Sequence, residues 1–280
     1  MRLILSCVNV DQKVVDQNNL LLMVNTETDE VKWLESKIVN ANDFIGTKGL
    51  NYSGDYLIAS VLTNSKKDKL LVIDVVTEHH NISKFFKSEN VYNMKSVFRG
   101  RFYVVSAGTN SMNQVVISPS TTNIIRDVKH YEFGGDLHFN SFVNWKNRWY
   151  ASFYGEGWRD GNFDNGAIIE LSSNNRKIYS NINQPNSLFF NRNDELCFLE
   201  SGRGLFHFGR SIIYTGSGYP RGVIEDKNEN GYWIACTGHD VMPRLKFFTC
   251  KGEYTNSIPL PYGYNFYSIV ETEGYLSKLL

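Results

Sequence analysis

Short apolar runs alternate with polar turns along the whole chain, and no long stretch carries the period of an amphipathic helix. The clearest stretch runs from Asn183 to Gly238. A tight X-Ser or X-Gly pair comes first, then apolar residues and a polar turn, then a second apolar run ending in a small residue and Gly. The pair recurs as Lys48-Gly49, Lys95-Ser96, Asn140-Ser141, Asn186-Ser187, Arg221-Gly222 and Tyr267-Ser268, at steps of 47, 45, 46, 35 and 46 residues.

Each of these anchors predicts a unit of four strands. Second strands are expected at Asp55 to Ser60, Arg101 to Gly108, Arg148 to Gly155, Glu195 to Gly202 and Gly231 to Gly238. Third strands follow at Lys69 to Val75, Gln114 to Pro119, Gly166 to Leu171, Gly204 to Gly209 and Leu245 to Cys250. Less regular fourth strands fall near Ile82 to Phe86, Ile124 to Tyr131, Lys177 to Ile182, Ser211 to Thr215 and Tyr254 to Leu260. Turn residues such as Ser53-Gly54-Asp55 and Asn191-Arg192-Asn193-Asp194 separate them. The fifth unit is short because Ser201-Gly202-Arg203-Gly204 and Gly209-Arg210 make two very tight connections.

Four strands in about 40–50 residues is the period of a β-propeller blade. The expected fold is therefore all-β, a six-bladed β-propeller with four antiparallel strands per blade, forming a single domain over 1–280. The sixth anchor keeps only one strand, Phe266 to Glu271. The missing three are expected from the N-terminal runs Arg2 to Val10, Asn19 to Asn25 and Val31 to Glu35, so that head and tail together complete the last blade and cover an open sheet edge.

Composition sharpens this picture. Aromatic residues make up 14% of the chain, with 16 Tyr and 18 Phe, which favours strands. Lys and Arg (29) balance Asp and Glu (29), which argues against nucleic acid or an anionic membrane as a partner. The N-terminal apolar run reaches Asp11 quickly and reads as a strand, not a signal peptide, and no stretch approaches the roughly 20 apolar residues of a membrane helix. The four cysteines, Cys7, Cys197, Cys236 and Cys250, form no C-x-x-C pair. They read as free thiols in a reducing compartment, and the expected location is cytoplasmic.

Three stretches carry a resemblance: Asp136 to Ser141 with Gly166 to Leu171, Gln184 to Ser187 with Glu200 to Gly204, and Gly218 to Gly222. The chain resembles an uncharacterised bacterial family of six-bladed propellers within the wider group of NHL-repeat and gluconolactonase-like proteins. That resemblance implies the fold and assigns no activity. Gluconolactonase-type relatives hold a divalent ion with Glu, Asn and Asp at the first-strand positions. The matching residues here are Lys48, Lys95, Asn140, Asn186, Arg221 and Tyr267, with no carboxylate and three cations. A hard cation would be opposed there, so no metal at that centre, no cofactor and no calcium lactonase mechanism are expected. Asp160, Asp164 and Asn165 are an open alternative for calcium in the 155–165 connection, though their spacing fits no EF-hand loop.

In a propeller, the starts of the first strands and the connections between second and third strands gather at one channel mouth. This collects Lys48, Lys95, Asn140, Asn186, Arg203, Arg221 and Asp240 as candidate ligand-binding residues. The Gly-rich connection from Gly155 to Asn165 adds Trp158 and Arg159 as a lid. Arg can clamp a carboxylate or phosphate with paired hydrogen bonds. The alternative is that these cations pair with Asp136, Glu156, Glu200 and Asp240. Asp136, His138 and Asn140 share one face of a strand, so Asp136 and His138, with His239, are candidates for proton transfer.

No G-x-S-x-G, phosphate-loop or H-E-x-x-H motif is present. The sequence thus points to a protein that binds, and in its stronger form transforms as a lyase, epimerase or hydrolase, a small anionic metabolite such as a sugar acid, sugar phosphate or nucleotide-sugar. A non-catalytic interaction scaffold is the alternative. Oligomeric state leaves no trace in the sequence.

Overall fold

The computed structural model describes residues 1–10, 20–34, 44–53, 55–65, 68–77, 79–82, 91–98, 101–106, 111–117, 124–127, 138–154, 165–171, 176–216, 218–238 and 242–272. By contacts the chain divides into two compact units, Met1–His130 with Leu260–Leu280, and Tyr131–Pro259.

The first unit holds β1 (Arg2–Asn9), β2 (Leu21–Asn25), β3 (Glu30–Leu34), β4 (Phe44–Ser53), β5 (Tyr56–Thr63), β6 (Lys69–Asp74), β7 (His79–Ile82), β8 (Val91–Phe98), β9 (Arg101–Ser106), β10 (Ser111–Ile117) and β11 (Ile124–Asp127), numbered in chain order. Its last strand, numbered β24 (Tyr264–Glu271), comes from the other end of the chain. The second unit holds β12 (His138–Trp145), β13 (Arg148–Tyr154), β14 (Gly166–Leu171), β15 (Arg176–Ile182), β16 (Pro185–Phe190), β17 (Leu196–Glu200), β18 (Leu205–Phe208), β19 (Ser211–Tyr214), β20 (Tyr219–Asp226), β21 (Gly231–Thr237), β22 (Arg244–Thr249) and β23 (Tyr254–Pro259).

Each set of four consecutive strands from β4 to β23 pairs antiparallel in sequence order, as the repeat predicts. Strand β24 pairs with β1, from Leu3↔Glu271 to Asn9↔Tyr264, and β1 continues to β2 and β3. One blade is therefore closed by the C-terminal strand plus three N-terminal strands. It joins the β4–β7 blade through a single bridge, Val8↔Gly46. Gly46 is needed there, because a Cβ at its φ of 145° would lie 2.3 Å from the Cys7 carbonyl oxygen.

Burial explains why such mixed apolar strands hold together. Strand β21 is buried at every position, whereas β15 and β23 expose most of theirs. Strand β17 shows why within one unit: Phe198 packs with the β12–β15 sheet while Cys197 and Leu199 pack with the β20–β23 sheet, leaving no solvent side to keep polar. Within the second unit, Val143, Ile168 and Leu188 pack with Phe198 between two sheets, while Leu199, Phe206, Tyr232 and Ile234 pack between the next two. In the first unit Ile4, Met23, Leu57 and Leu71 do the same.

Several expected boundaries shift among the described residues. The second strand expected to reach Gly202 stops at Glu200, and Ser201–Arg203 forms a 3-10 turn that ends on Gly204 in the left-handed conformation, φ 65°. A fourth strand of the β4–β7 blade begins at His79, before the expected Ile82, and pairs with β6. Strand β10 begins at Ser111, before the expected Gln114. The expected continuations to Phe86, Pro119 and Tyr131 lie outside the described residues.

Candidate functional site

The X-Ser and X-Gly anchors are β-bulges or lie beside one. Register slips at Thr47/Leu50 in β4, Phe139/Ser141 in β12, Asn186/Phe189 in β16 and Pro220/Gly222 in β20. In β8 it slips between Ser96 and Phe98, just after Lys95. An extra residue in one strand turns its side chain away from the regular alternation. This is the local reason why a polar or charged residue can occupy that position inside an apolar strand.

The bulges create backbone groups without ladder partners, and hydroxyls supply them. The Gly49 amide donates to Ser60 Oγ at 2.8 Å, the Ser141 amide to Ser152 Oγ at 3.1 Å, and the Ser268 amide to Ser6 Oγ at 2.9 Å. Other bonds run from sheet to sheet within a unit. Ser141 Oγ accepts from the Leu188 amide at 2.9 Å, Ser187 Oγ donates to the Arg221 carbonyl, and Ser6 Oγ donates to the Lys48 carbonyl.

In the second unit these bonds tie the sequence candidates Asn140, Asn186 and Arg221 into one polar row. Asn140, 4% exposed, donates from Nδ2 to the Pro185 carbonyl at 3.0 Å. Asn186, 6% exposed, donates from Nδ2 to Ser201 Oγ, which donates to the Pro220 carbonyl. Its buried Oδ1 has no hydrogen-bond partner among the described residues. The Arg221 guanidinium lies 6.0 Å from the centre of the Tyr219 ring.

Beside this row stands a charge cluster. Glu200, almost fully buried, accepts from the Asn183 amide at 2.9 Å and lies 3.0 Å from an Arg203 guanidinium nitrogen and 2.9 Å from His207 Nε2. Burial alone would push the Glu200 carboxyl up. The bonds from His207 and Asn183 and the Arg203 charge outweigh it and hold the carboxyl below its ordinary range. The His207 ring stacks on Phe198, with centroids 4.3 Å apart.

In the first unit, Lys48 is 6% exposed and its Nζ stands 5.8 Å from the centre of the Tyr267 ring. His138 and Lys95 lie on β12 and β8, with side chains outside the described set. Asp136, Glu156, Trp158, Arg159, Asp160, Asp164, His239 and Asp240 lie outside the described residues altogether.

His207 and Ser201 escaped the sequence reading. The signal was available as register: with Glu200 opposite Leu205 across the turn, His207 falls two residues on, on the same sheet face as Glu200.

In the second unit the first-strand residues do not by themselves make the divalent-ion site of gluconolactonase-type relatives: Arg221 is a cation, and Asn140 and Asn186 offer two neutral amide oxygens against the six to eight oxygens that calcium takes.

All four cysteines are free, and Cys7, Cys197 and Cys236 are buried. Burial raises their thiols, Cys236 to about 11 and Cys197 to about 12. Among the described residues no helix is long and apolar enough to cross a membrane.

No protein-family model and no curated protein matches the chain. Solved structures do. A protein of unknown function from Bacteroides caccae superposes with a TM-score of 0.65 at 11% identity, over 96% of this chain and 97% of that one. A putative gluconolactonase gives 0.58 at 13% identity, over 77% and 78%. The periplasmic gluconolactonase of Pseudomonas aeruginosa gives 0.58 at 8%, over 92% and 83%. With the four-stranded antiparallel sheets, these likenesses establish an all-β chain of the β-propeller class.

Proposed function

We propose that this chain binds a small, hydroxylated, anionic metabolite at the sheet edge of the second unit where β16 and β20 begin. The observation that carries the reading is Asn186. Its buried carbonyl oxygen has no donor among the described residues, which is costly, and a ligand hydroxyl would satisfy it. Arg221 and Arg203, on the neighbouring strand and turn, supply the positive charge that selects an anion. Sugar acids and sugar phosphates combine both features. The names of two structural neighbours, both gluconolactonases, lend support from the fold side. Binding proceeds without a divalent ion, in keeping with the donor set. We place the protein in the cytoplasm, a reading supported by its four free thiols.

Thermal unfolding with a panel of sugar acids, sugar phosphates and nucleotide-sugars tests this. A ligand at 100 times its Kd adds about 2.7 kcal/mol to stability, which a melting curve resolves. At least one anion is expected to raise the melting temperature, and the rise should vanish in Arg221→Gln. A flat response across the panel would overturn the reading.

A further inference from the structure

A cavity of about 260 Å³ opens between the β16–β19 sheet and the β20–β23 sheet, beside the polar row. Its walls carry Tyr214 and Tyr219, 65% and 42% exposed, and the turn residue Arg203 stands at its edge. On the floor is Gly204. A Cβ built there would lie 3.0 Å from the Gly216 carbonyl oxygen, 3.3 Å from Tyr214 Cε2 and 3.7 Å from the Gly218 carbonyl oxygen. Two carbonyl acceptors and a ring edge therefore converge on the space that a side chain at position 204 would take.

Each wall selects a feature of the occupant. The volume lies below the roughly 300–1,000 Å³ of pockets for drug-sized ligands, which suits a single ring. The tyrosine faces suit the apolar side of a ring. The carbonyls accept from hydroxyls, and Arg203 donates to an anion. Arg203 is also 3.0 Å from Glu200, whose charge opposes a second negative charge on the ligand. That favours a carboxylate over a dianionic phosphate.

We propose that this inter-sheet cavity is the binding pocket for a single-ring hydroxylated carboxylate, of the uronic acid class, held between Tyr214 and Tyr219 with its carboxylate on Arg203. The proposal deepens the function argued above and rests on it for the sign of the charge. Arg221, beneath Tyr219 at 6.0 Å, links the polar row to the pocket.

Calorimetric titration of the full chain with glucuronate, glucose, acetate and glucose 6-phosphate decides it. Glucuronate should bind saturably, and glucose and acetate each at least about tenfold more weakly. Tyr214 is exposed, so its truncation leaves the fold intact. Tyr214→Ala should weaken glucuronate about tenfold while Tyr214→Phe keeps it. Arg203→Gln should weaken it by about tenfold or more. Unchanged affinity in both Tyr214→Ala and Arg203→Gln would overturn the pocket. If Arg221→Gln still abolished anion-induced stabilisation, the broader reading would survive that result. Tighter binding of glucose 6-phosphate than of glucuronate would overturn the carboxylate assignment. Failure of every anion to bind would remove both proposals together.

Discussion

At the scale of single residues, Glu200 shows how position decides chemistry. It ends β17, faces inward, and meets a backbone amide, a guanidinium and an imidazole at once. Its folded carboxyl lies below the ordinary value of 4.5 despite burial. Its stabilising contribution is therefore complete above that value and is lost as pH falls through the lowered one. Glu200→Gln should cost about 2 kcal/mol at neutral pH, as expected for charge-assisted hydrogen bonds. In urea titrations the gap to the wild type should close on acidification below 4.5; a gap independent of pH would refute the assignment. The thiols give a second residue-scale prediction. Cys7, Cys197 and Cys236 are buried and hard to ionise, whereas Cys250 is half-exposed. Maleimide at neutral pH should modify Cys250 of the native protein first and reach the other three only on unfolding, with peptide mass mapping as the readout.

At the scale of strands, the device that repeats is a bulge in the first strand served by a serine in the strand beside it. Ser60 and Ser152 each satisfy one bulge amide, while Ser6 accepts from the Ser268 amide and also donates to the Lys48 carbonyl. Replacing Ser60 by Ala removes the acceptor of the buried Gly49 amide, and Ser152→Ala removes both bonds to Ser141, each at about 1–3 kcal/mol. Ser6→Ala strands groups on two other strands, the Ser268 amide and the Lys48 carbonyl, and should cost at least about 1–3 kcal/mol as well, which urea midpoints of the three variants would check. This device also marks the limit of what the sequence disclosed. The X-Ser and X-Gly pairs were visible as a repeat because a bulge needs a small residue to let strands approach. Their bonding was not visible, because the hydroxyl that answers each bulge sits many residues away. For the same reason Asn140, Asn186 and Arg221 could be picked out as a row, whereas the Glu200–His207 contact depends on the register across the turn at Ser201–Arg203. The wall formed by Tyr214 and Tyr219 was hidden differently, since tyrosines in strands usually belong to the core.

At the scale of the whole chain, blade order was legible because each blade is contiguous in sequence, and the exception, β24 with β1, was legible because a lone strand at one end needed three at the other. That pairing makes β24 structural. Strand β24 covers β1 over six paired positions and buries Phe266 and Ile269. Without it, the edge of β1 would carry unpaired backbone groups beside Leu3, Ile4 and Leu5, all fully buried in the intact protein. Two buried side chains are worth about 1.5–3 kcal/mol each. With the lost ladder bonds, that is a large part of the 5–15 kcal/mol that folded domains typically hold. A chain ending at Pro259 should therefore aggregate or bind a hydrophobic dye, and a synthetic peptide of residues 260–272 should restore solubility by supplying the missing strand. Register gives the restoration its specificity: a peptide with Phe266 and Ile269 changed to Asp keeps every backbone donor but places charge in the core, and should not rescue. If the truncated chain unfolded at the wild-type urea midpoint, head-to-tail pairing would have no part in holding the fold.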